Sequence, residues 1–156
     1  MEFSVMGKRA LITGSSRGIG SAIALELARG GADIAVHCAS NLERAREVAA
    51  QIASLGRKAE VFQADLCDPA EAAGLMERVG RVDILVLNAS LQIQKPWETL
   101  TVEDFCRQIH CNTLASLLLL QRAVPAMKAH RWGRVVTIGS VQEAKPHPDM
   151  LGYSAS

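Results

Sequence analysis

Apolar positions along the chain follow two alternating periods, the short unbroken run of a buried strand and the 3.6-residue spacing of an amphipathic helix. The first run, "RALIT" at residues 9 to 13, predicts a strand. The helix after it should bury Ile19, Ile23 and Leu27, spaced i, i+4 and i+8, and end at Gly30-Gly31. "DIAVHC" predicts a second strand, and "SNLE" a helix start in which Ser40 caps an amide and Glu43 reaches back to complete a capping box. Gly56 closes that helix. A third strand, "AEVFQA", leads into a helix with Asp68 as N-cap, Pro69 at the first helical position and Glu71 three residues after the cap, running to about Val79. "DILVL" is apolar without alternation, which predicts a strand at the centre of the sheet with helices over both faces. Thr101 then caps a long helical stretch to about His130, with a bend expected near Pro125, before Gly133 and a fifth strand, "RVVTIG".

Five strands joined by helical crossovers imply an α/β fold with a doubly wound parallel sheet, because right-handed crossovers put helices on both faces. Such sheets bind ligands at the carboxyl ends of their strands near the point where strand order reverses. The residues after strands one, four and five should therefore share one crevice.

Composition narrows the function classes. A length of 156 residues suits one folding unit over residues 1–156, and a hydrophobic content of 49 % with only 4 % aromatic suits interleaved helices and buried strands. The net charge of +1, with both signs interspersed, argues against a nucleic-acid partner. The apolar run from Leu114 to Leu120 is far shorter than the ~20 residues that span a bilayer. Met1 to Gly7 lacks a basic region followed by an apolar core, so a cytoplasmic address is expected. Cys38, Cys67, Cys106 and Cys111 form no CxxC pair and have no histidine at ligand spacing, which predicts reduced thiols and no metal site. His37, His110, His130 and His147 are scattered singly and receive no catalytic role.

The chemistry concentrates after the first strand, in "TGSSRGIG" at residues 13 to 20. Gly14, Ser15, Ser16, Arg17, Gly18, Ile19 and Gly20 form a turn that opens a helix. Its unpaired amides carry partial positive charge, and missing β-carbons let a diphosphate approach the backbone. The strand and helix needed around such a loop are both in place.

The G-x-x-x-G-x-G spacing resembles that of the short-chain dehydrogenase/reductase family, in its classical branch. Further matches follow in order: Asn88-Ala89-Ser90 where the family carries Asn-Ala-Gly, then Asn112, Ser140 and Tyr153 where it has its active-site Asn, Ser and Tyr. The resemblance runs through essentially the whole chain. It implies that Asn88, Ala89 and Ser90 line the cofactor ribose, with Ser90 carrying a β-carbon penalty if its φ is positive. It also implies that Asp65, followed by Leu66, accepts a hydrogen bond from the adenine amino group.

An acid near the end of strand two would bind a ribose 2′-hydroxyl and repel a 2′-phosphate. None is present, and Cys38 stands where NAD-preferring relatives of this family carry Asp. Arg17, Ser40 and Asn41 can donate to phosphate instead, so NADP(H) is expected over NAD(H). On residue type alone, Arg17 also fits a solvated turn, Ser40 a helix cap, Asp65 a turn acid, Ser140 a strand-end serine and Tyr153 a surface position on an amphipathic helix.

What the resemblance implies chemically is hydride transfer between nicotinamide and a small carbonyl or secondary alcohol, with Ser140 polarising the oxygen, Tyr153 moving the proton and Asn112 holding a water for proton relay. Family members supply a Lys four residues after the Tyr, a position that would be 157 here. The expectation is that residues 1–156 are part of a longer enzyme, with the family's C-terminal strands absent and strand five left as an exposed edge. The alternative is a truncated, inactive nucleotide-binding or interaction protein. The stretches 91–97 and 141–151 are expected to wall a substrate pocket. The leucine-rich helix before strand five suits a homodimer or homotetramer, although core burial explains the same residues.

Overall fold

Short apolar runs can be fully buried only when both faces of a sheet are covered, and the strands here meet that condition. The computed structural model describes residues 4–156, so the first three residues of the Met1–Gly7 stretch lie outside it. Strands β1 (Arg9–Ile12), β2 (Asp33–Cys38), β3 (Ala59–Gln63), β4 (Ile84–Leu87) and β5 (Arg134–Thr137) form one sheet in the order β3-β2-β1-β4-β5. Every pairing is parallel, with Leu11 opposite Ala35 on one side and Leu85 on the other. The centre is β1, and β4, all four residues buried, lies beside it rather than at the midpoint expected of it.

Alternation of side chains along the strands divides the core in two. Ala10, Ile12, Ile34, Val36, Ile84 and Val86 pack with helices α1 (Gly18–Arg29) and α2 (Leu42–Ser54). Leu11, Ala35, Leu85 and Leu87 face α3 (Pro69–Val79) and α5 (Ala115–Ala129), meeting Leu75 and Leu119. This is a doubly wound Rossmann fold. The winding runs outward from β1 to β3, then returns to β4, so strand order reverses between β1 and β4.

Local structure departs from the sequence expectations at several points. Gly20, Ala24, Leu27 and Ala28 form the buried face of α1, whereas Ile19 is 63 % exposed, because the helix lies close to the sheet on its small residues. The cap of α2 is Asn41, whose Oδ1 accepts from the Arg44 amide at 3.0 Å, and not Ser40. Asp68 does cap α3, with Oδ1 accepting from Ala70, but Glu71 reaches further back and accepts from the Asp65 amide at 2.7 Å. Thr101 caps α4 (Val102–Ile109) as expected, accepting from the Asp104 amide at 3.1 Å. The irregularity in this long helix is a π-helical turn at His110–Leu114, while α5 continues through Pro125. Such turns insert one extra residue and recur at functional sites. The edge strand β5 leaves all four of its residues exposed.

Candidate active site

The tips of β1 and β4 are joined by a side chain on each. Thr13 Oγ1 accepts from the Asn88 and Ala89 amides at 2.9 and 3.0 Å, and Asn88 Nδ2 donates to the Thr13 carbonyl at 2.9 Å. The turn after β1 passes directly over this joint. Gly14 has φ +66, and a β-carbon there would lie 3.1 Å from Ala89 Cα. At Gly20 a β-carbon would lie 2.4 Å from the Gly14 carbonyl oxygen and 2.6 Å from Asn88 Nδ2, so the first turn of α1 can close on the loop only without one.

The same loop is anchored on its other side by β2. His37 is buried, and its Nδ1 accepts from the Gly14 amide at 2.9 Å while Nε2 faces the Ala64 carbonyl at 3.0 Å. This pairing requires the neutral ring with its proton on Nε2. Burial, reinforced by the charge of Arg78, brings its pKa down to about 4. Ser15 is likewise committed inward: Oγ donates to the Ile12 carbonyl and accepts from the His37 amide, and its own amide donates to the His37 carbonyl. That leaves Ser16, Arg17 and the first amides of α1 facing outward. No side chain caps this helix, and Arg17 at the cap position is exposed. An uncapped helix start lined by glycine leaves amides free to hold an anion such as a diphosphate.

At the end of β2, Cys38 is buried, its thiol pushed up by burial, and Ala39, Ser40 and Asn41 follow in exposed positions with no acid among them. With Asn41 as cap, the Ser40 hydroxyl is not needed by the helix and the Asn41 amide nitrogen is also left over. Asp65 lies at the end of β3, exposed, with Oδ1 accepting from the Cys67 amide, and Leu66 beneath it is buried. Ser90 does not have positive φ, since Arg131 is the only such non-glycine among the described residues. The β-carbon penalty therefore does not arise.

Beyond the ends of β4 and β5 lies a cavity of about 320 Å³. Ala89 and Ser90 reach it from β4, Ser140 from β5, Asn112 from the π-helical turn and Tyr153 from the short helix α6 (Leu151–Ser154). The crevice expected from the topology is thus shared by β4 and β5, with the β1 loop abutting it through Gly14 and Ala89. Ser140 Oγ accepts from the Gln142 amide at 3.2 Å, and its amide donates to Glu143 Oε1 at 3.0 Å, so the serine is fixed while its own hydroxyl proton stays available. The Asn112 side chain is fully engaged: Oδ1 accepts from Leu91 at 2.7 Å, and Nδ2 donates to the Leu91 carbonyl at 3.0 Å and to Ser156 Oγ at 2.7 Å. Ser156 Oγ in turn donates to the Tyr153 carbonyl at 2.9 Å. Asn112 consequently ties the segment after β4 to the end of the tyrosine helix.

Sequence reasoning passed over three residues that build this site: Thr13, His37 and Gln108. Each is polar and fully or almost fully buried. The available signal was a polar residue at a position where the strand or helix period called for an apolar one, as with His37 inside "IAVHC".

The family model described as short chain dehydrogenase matches residues 8–156, and the chain belongs to that family, in its classical branch. It is 40 % identical over 156 residues to a 3-oxoacyl-[acyl-carrier-protein] reductase, FabG, of Aggregatibacter actinomycetemcomitans, covering 97 % of this chain and 64 % of the relative. It is 37 % identical over 154 residues to the hydroxynaphthalene reductase arp2 of Aspergillus fumigatus, covering 96 % of this chain and 56 % of the relative. A crystal structure of a 3-oxoacyl (acyl-carrier-protein) reductase from Agrobacterium tumefaciens with NADP bound superposes with a TM-score of 0.92 at 39 % identity, over 99 % of this chain and 60 % of that one. The chain therefore spans somewhat more than half the length of the proteins it resembles.

Proposed function

We propose that this chain carries the cofactor site and the visible catalytic groups of an NADP(H)-dependent oxidoreductase acting on a small ketone or secondary alcohol. The observation that carries the reading is the single cavity onto which Ser140, Tyr153 and Asn112 converge beside an uncapped glycine-lined helix start. NADP(H) is favoured over NAD(H) by the exposed Arg17 in the loop after β1 and by Ser40 and Asn41 after β2, where no carboxylate opposes a 2′-phosphate, and by the NADP in the Agrobacterium relative. In this reading Ser16, Arg17 and the amides of Gly18, Ile19 and Gly20 hold the diphosphate, Gly14 and Ser15 shape the turn, and Asn88, Ala89 and Ser90 border the nicotinamide ribose. Asp65 and Leu66 border the adenine.

When bound, the nicotinamide supplies or accepts the hydride. Ser140 donates a hydrogen bond from its hydroxyl to the substrate oxygen, keeping its proton, and so polarises and orients that oxygen. Tyr153 gives its proton to that oxygen during reduction and takes one back during oxidation. The Asn112 side chain holds Leu91 and Ser156 in place around them; with both amide hydrogens committed there, the second lone pair of Oδ1 is what it has left for a relay water. A cytoplasmic setting is part of the proposal and suits four free thiols. Among the described residues no helix is long and apolar enough to cross a membrane. Assembly into a homodimer or homotetramer is proposed on the half-exposed Leu117 of α5.

The test is to incubate the chain with 4-deuterated NADPH and a β-ketoacyl thioester, then to follow deuterium in the product alcohol by mass spectrometry. Label should transfer from one face of the nicotinamide only, and Tyr153→Phe should slow transfer by roughly 10²-fold or more, the loss expected for a proton-transfer group. Tight NADPH binding with label transfer no faster in the wild type than in Tyr153→Phe would reject the catalytic reading and leave a nucleotide-binding protein.

A further inference from the structure

An extended segment and a helix rise at matching rates when every second residue of one is set against every fourth residue of the other, about 6.6 Å against 6.0 Å. Residues 91 to 95 and helix α4 with its π-helical extension use that match. Leu91 is held by Asn112 through both of its main-chain groups, the Ile93 amide donates to Gln108 Oε1 at 2.9 Å, and Lys95 Nζ pairs with Asp104 Oδ2 at 2.5 Å. Residues 91, 93 and 95 are half-buried while 92 and 94 are exposed, as in a strand laid along a surface. Lys95 also donates its amide to the Asp149 carbonyl at 2.9 Å, just ahead of the tyrosine helix.

Gln108, in the middle of this ladder, is 0 % exposed, although a leucine there would fill a helix-core position without burying an amide. One end of that amide binds the segment through Ile93. The other end, Nε2, lies beneath Gly152, where an added β-carbon would come within 2.4 Å of it, and it donates to the Asp104 carbonyl at a long 3.3 Å. Gly152 immediately precedes Tyr153. A single buried side chain therefore touches both the segment after β4 and the backbone that carries the tyrosine.

We propose that Gln108 is a positioning residue that sets the segment 91–95 and the Tyr153 helix against each other, so that the tyrosine hydroxyl is held at the cavity shared with Ser140. The rate consequence rests on the reductase reading above, but the placement of the tyrosine does not. Tyr153 is the only tyrosine in the chain, so protein labelled with 3-fluorotyrosine gives a single fluorine resonance that reports its surroundings directly.

The experiment compares wild type with Gln108→Met, Gln108→Glu and Gly152→Ala by fluorine NMR, NADPH titration and single-turnover hydride transfer. Gln108→Met should move or split the Tyr153 resonance and slow hydride transfer at least tenfold with NADPH affinity within twofold of wild type. Gln108→Glu keeps an acceptor for Ile93 but sets an oxygen against the Asp104 carbonyl and buries a carboxylate, so it should also move the Tyr153 resonance and slow transfer. Gly152→Ala presses on the same contact from the opposite side and should reproduce the spectral change even if Gln108→Met fails to fold. An unshifted single resonance in the variants that fold would overturn the proposal. Absence of hydride transfer in the wild type, with the spectral pattern intact, would instead reject the reductase reading alone.

Discussion

Gly20→Ala is expected to lose NADPH affinity by tenfold or more and to unfold at lower denaturant than the wild type. The β-carbon would meet a carbonyl oxygen at 2.4 Å and an amide nitrogen at 2.6 Å, and both belong to the joint between β1 and β4. Neither neighbour is a flexible side-chain end, because Asn88 Nδ2 is itself bonded to the Thr13 carbonyl. Relief must come from moving the start of α1 away from the sheet, a repacking that costs about 1–3 kcal/mol. The same displacement opens the turn that would hold the diphosphate. Gly18→Ala is the comparison: its β-carbon meets nothing within 4 Å, so only the left-handed backbone at φ +57 opposes it. The cost there should be about 1–2 kcal/mol. Urea unfolding of the two variants checks both numbers and NADPH titration of Gly20→Ala its binding loss; wild-type stability and affinity in Gly20→Ala would show that close approach at Gly20 is unimportant.

Acid should loosen the cofactor loop before it unfolds the strands. His37 must be neutral to accept from Gly14, and its folded pKa of about 4 lies below the ordinary 6.5. A depressed value means that its stabilisation is complete above pH 6.5 and is lost as pH falls through 4. The loss amounts to about 3 kcal/mol, at 1.36 kcal/mol for each unit of difference. His37→Leu should be less stable at pH 7, because the Gly14 amide then lacks its partner, yet should lose less on acidification. Chemical denaturation of both proteins from pH 7 to 4 measures the difference, and parallel slopes in that window would mean that His37 does not titrate in this way.

The strands were legible because a parallel strand covered on both faces is written as a continuous apolar run, and "DIAVHC" and "DILVL" are such runs. Helix starts were half legible. Ser40 and Asn41 are both good caps, and the choice between them depends on backbone angles that composition does not encode. Ile19 fits the helical period but lies at the first turn, which faces outward over the loop, so periodicity assigned it to the wrong environment. The π-helical turn at His110–Leu114 is announced by no residue type, whereas Pro125, an evident irregularity in sequence, lies within the continuous α5. For the site, motif spacing led to Ser140 and Tyr153, whose shared cavity depends on chain reversal over a polar loop. The polar residues that hold the site together, Thr13, His37 and Gln108, were read through as parts of apolar elements. Their partners are backbone groups far along the chain, such as the amides of Asn88, Gly14 and Ile93, and pairing of that kind has no local signature.

The central claim is a dinucleotide lying across the tips of β1 and β4 with its 2′-phosphate among Arg17, Ser40 and Asn41. Fluorescence titration of the purified chain with NADPH and with NADH, repeated for Arg17→Ala, tests it most directly. The account predicts saturable NADPH binding at least tenfold tighter than NADH, with Arg17→Ala erasing most of that preference. Equal affinity for the two, or tighter binding of NADH, would contradict it.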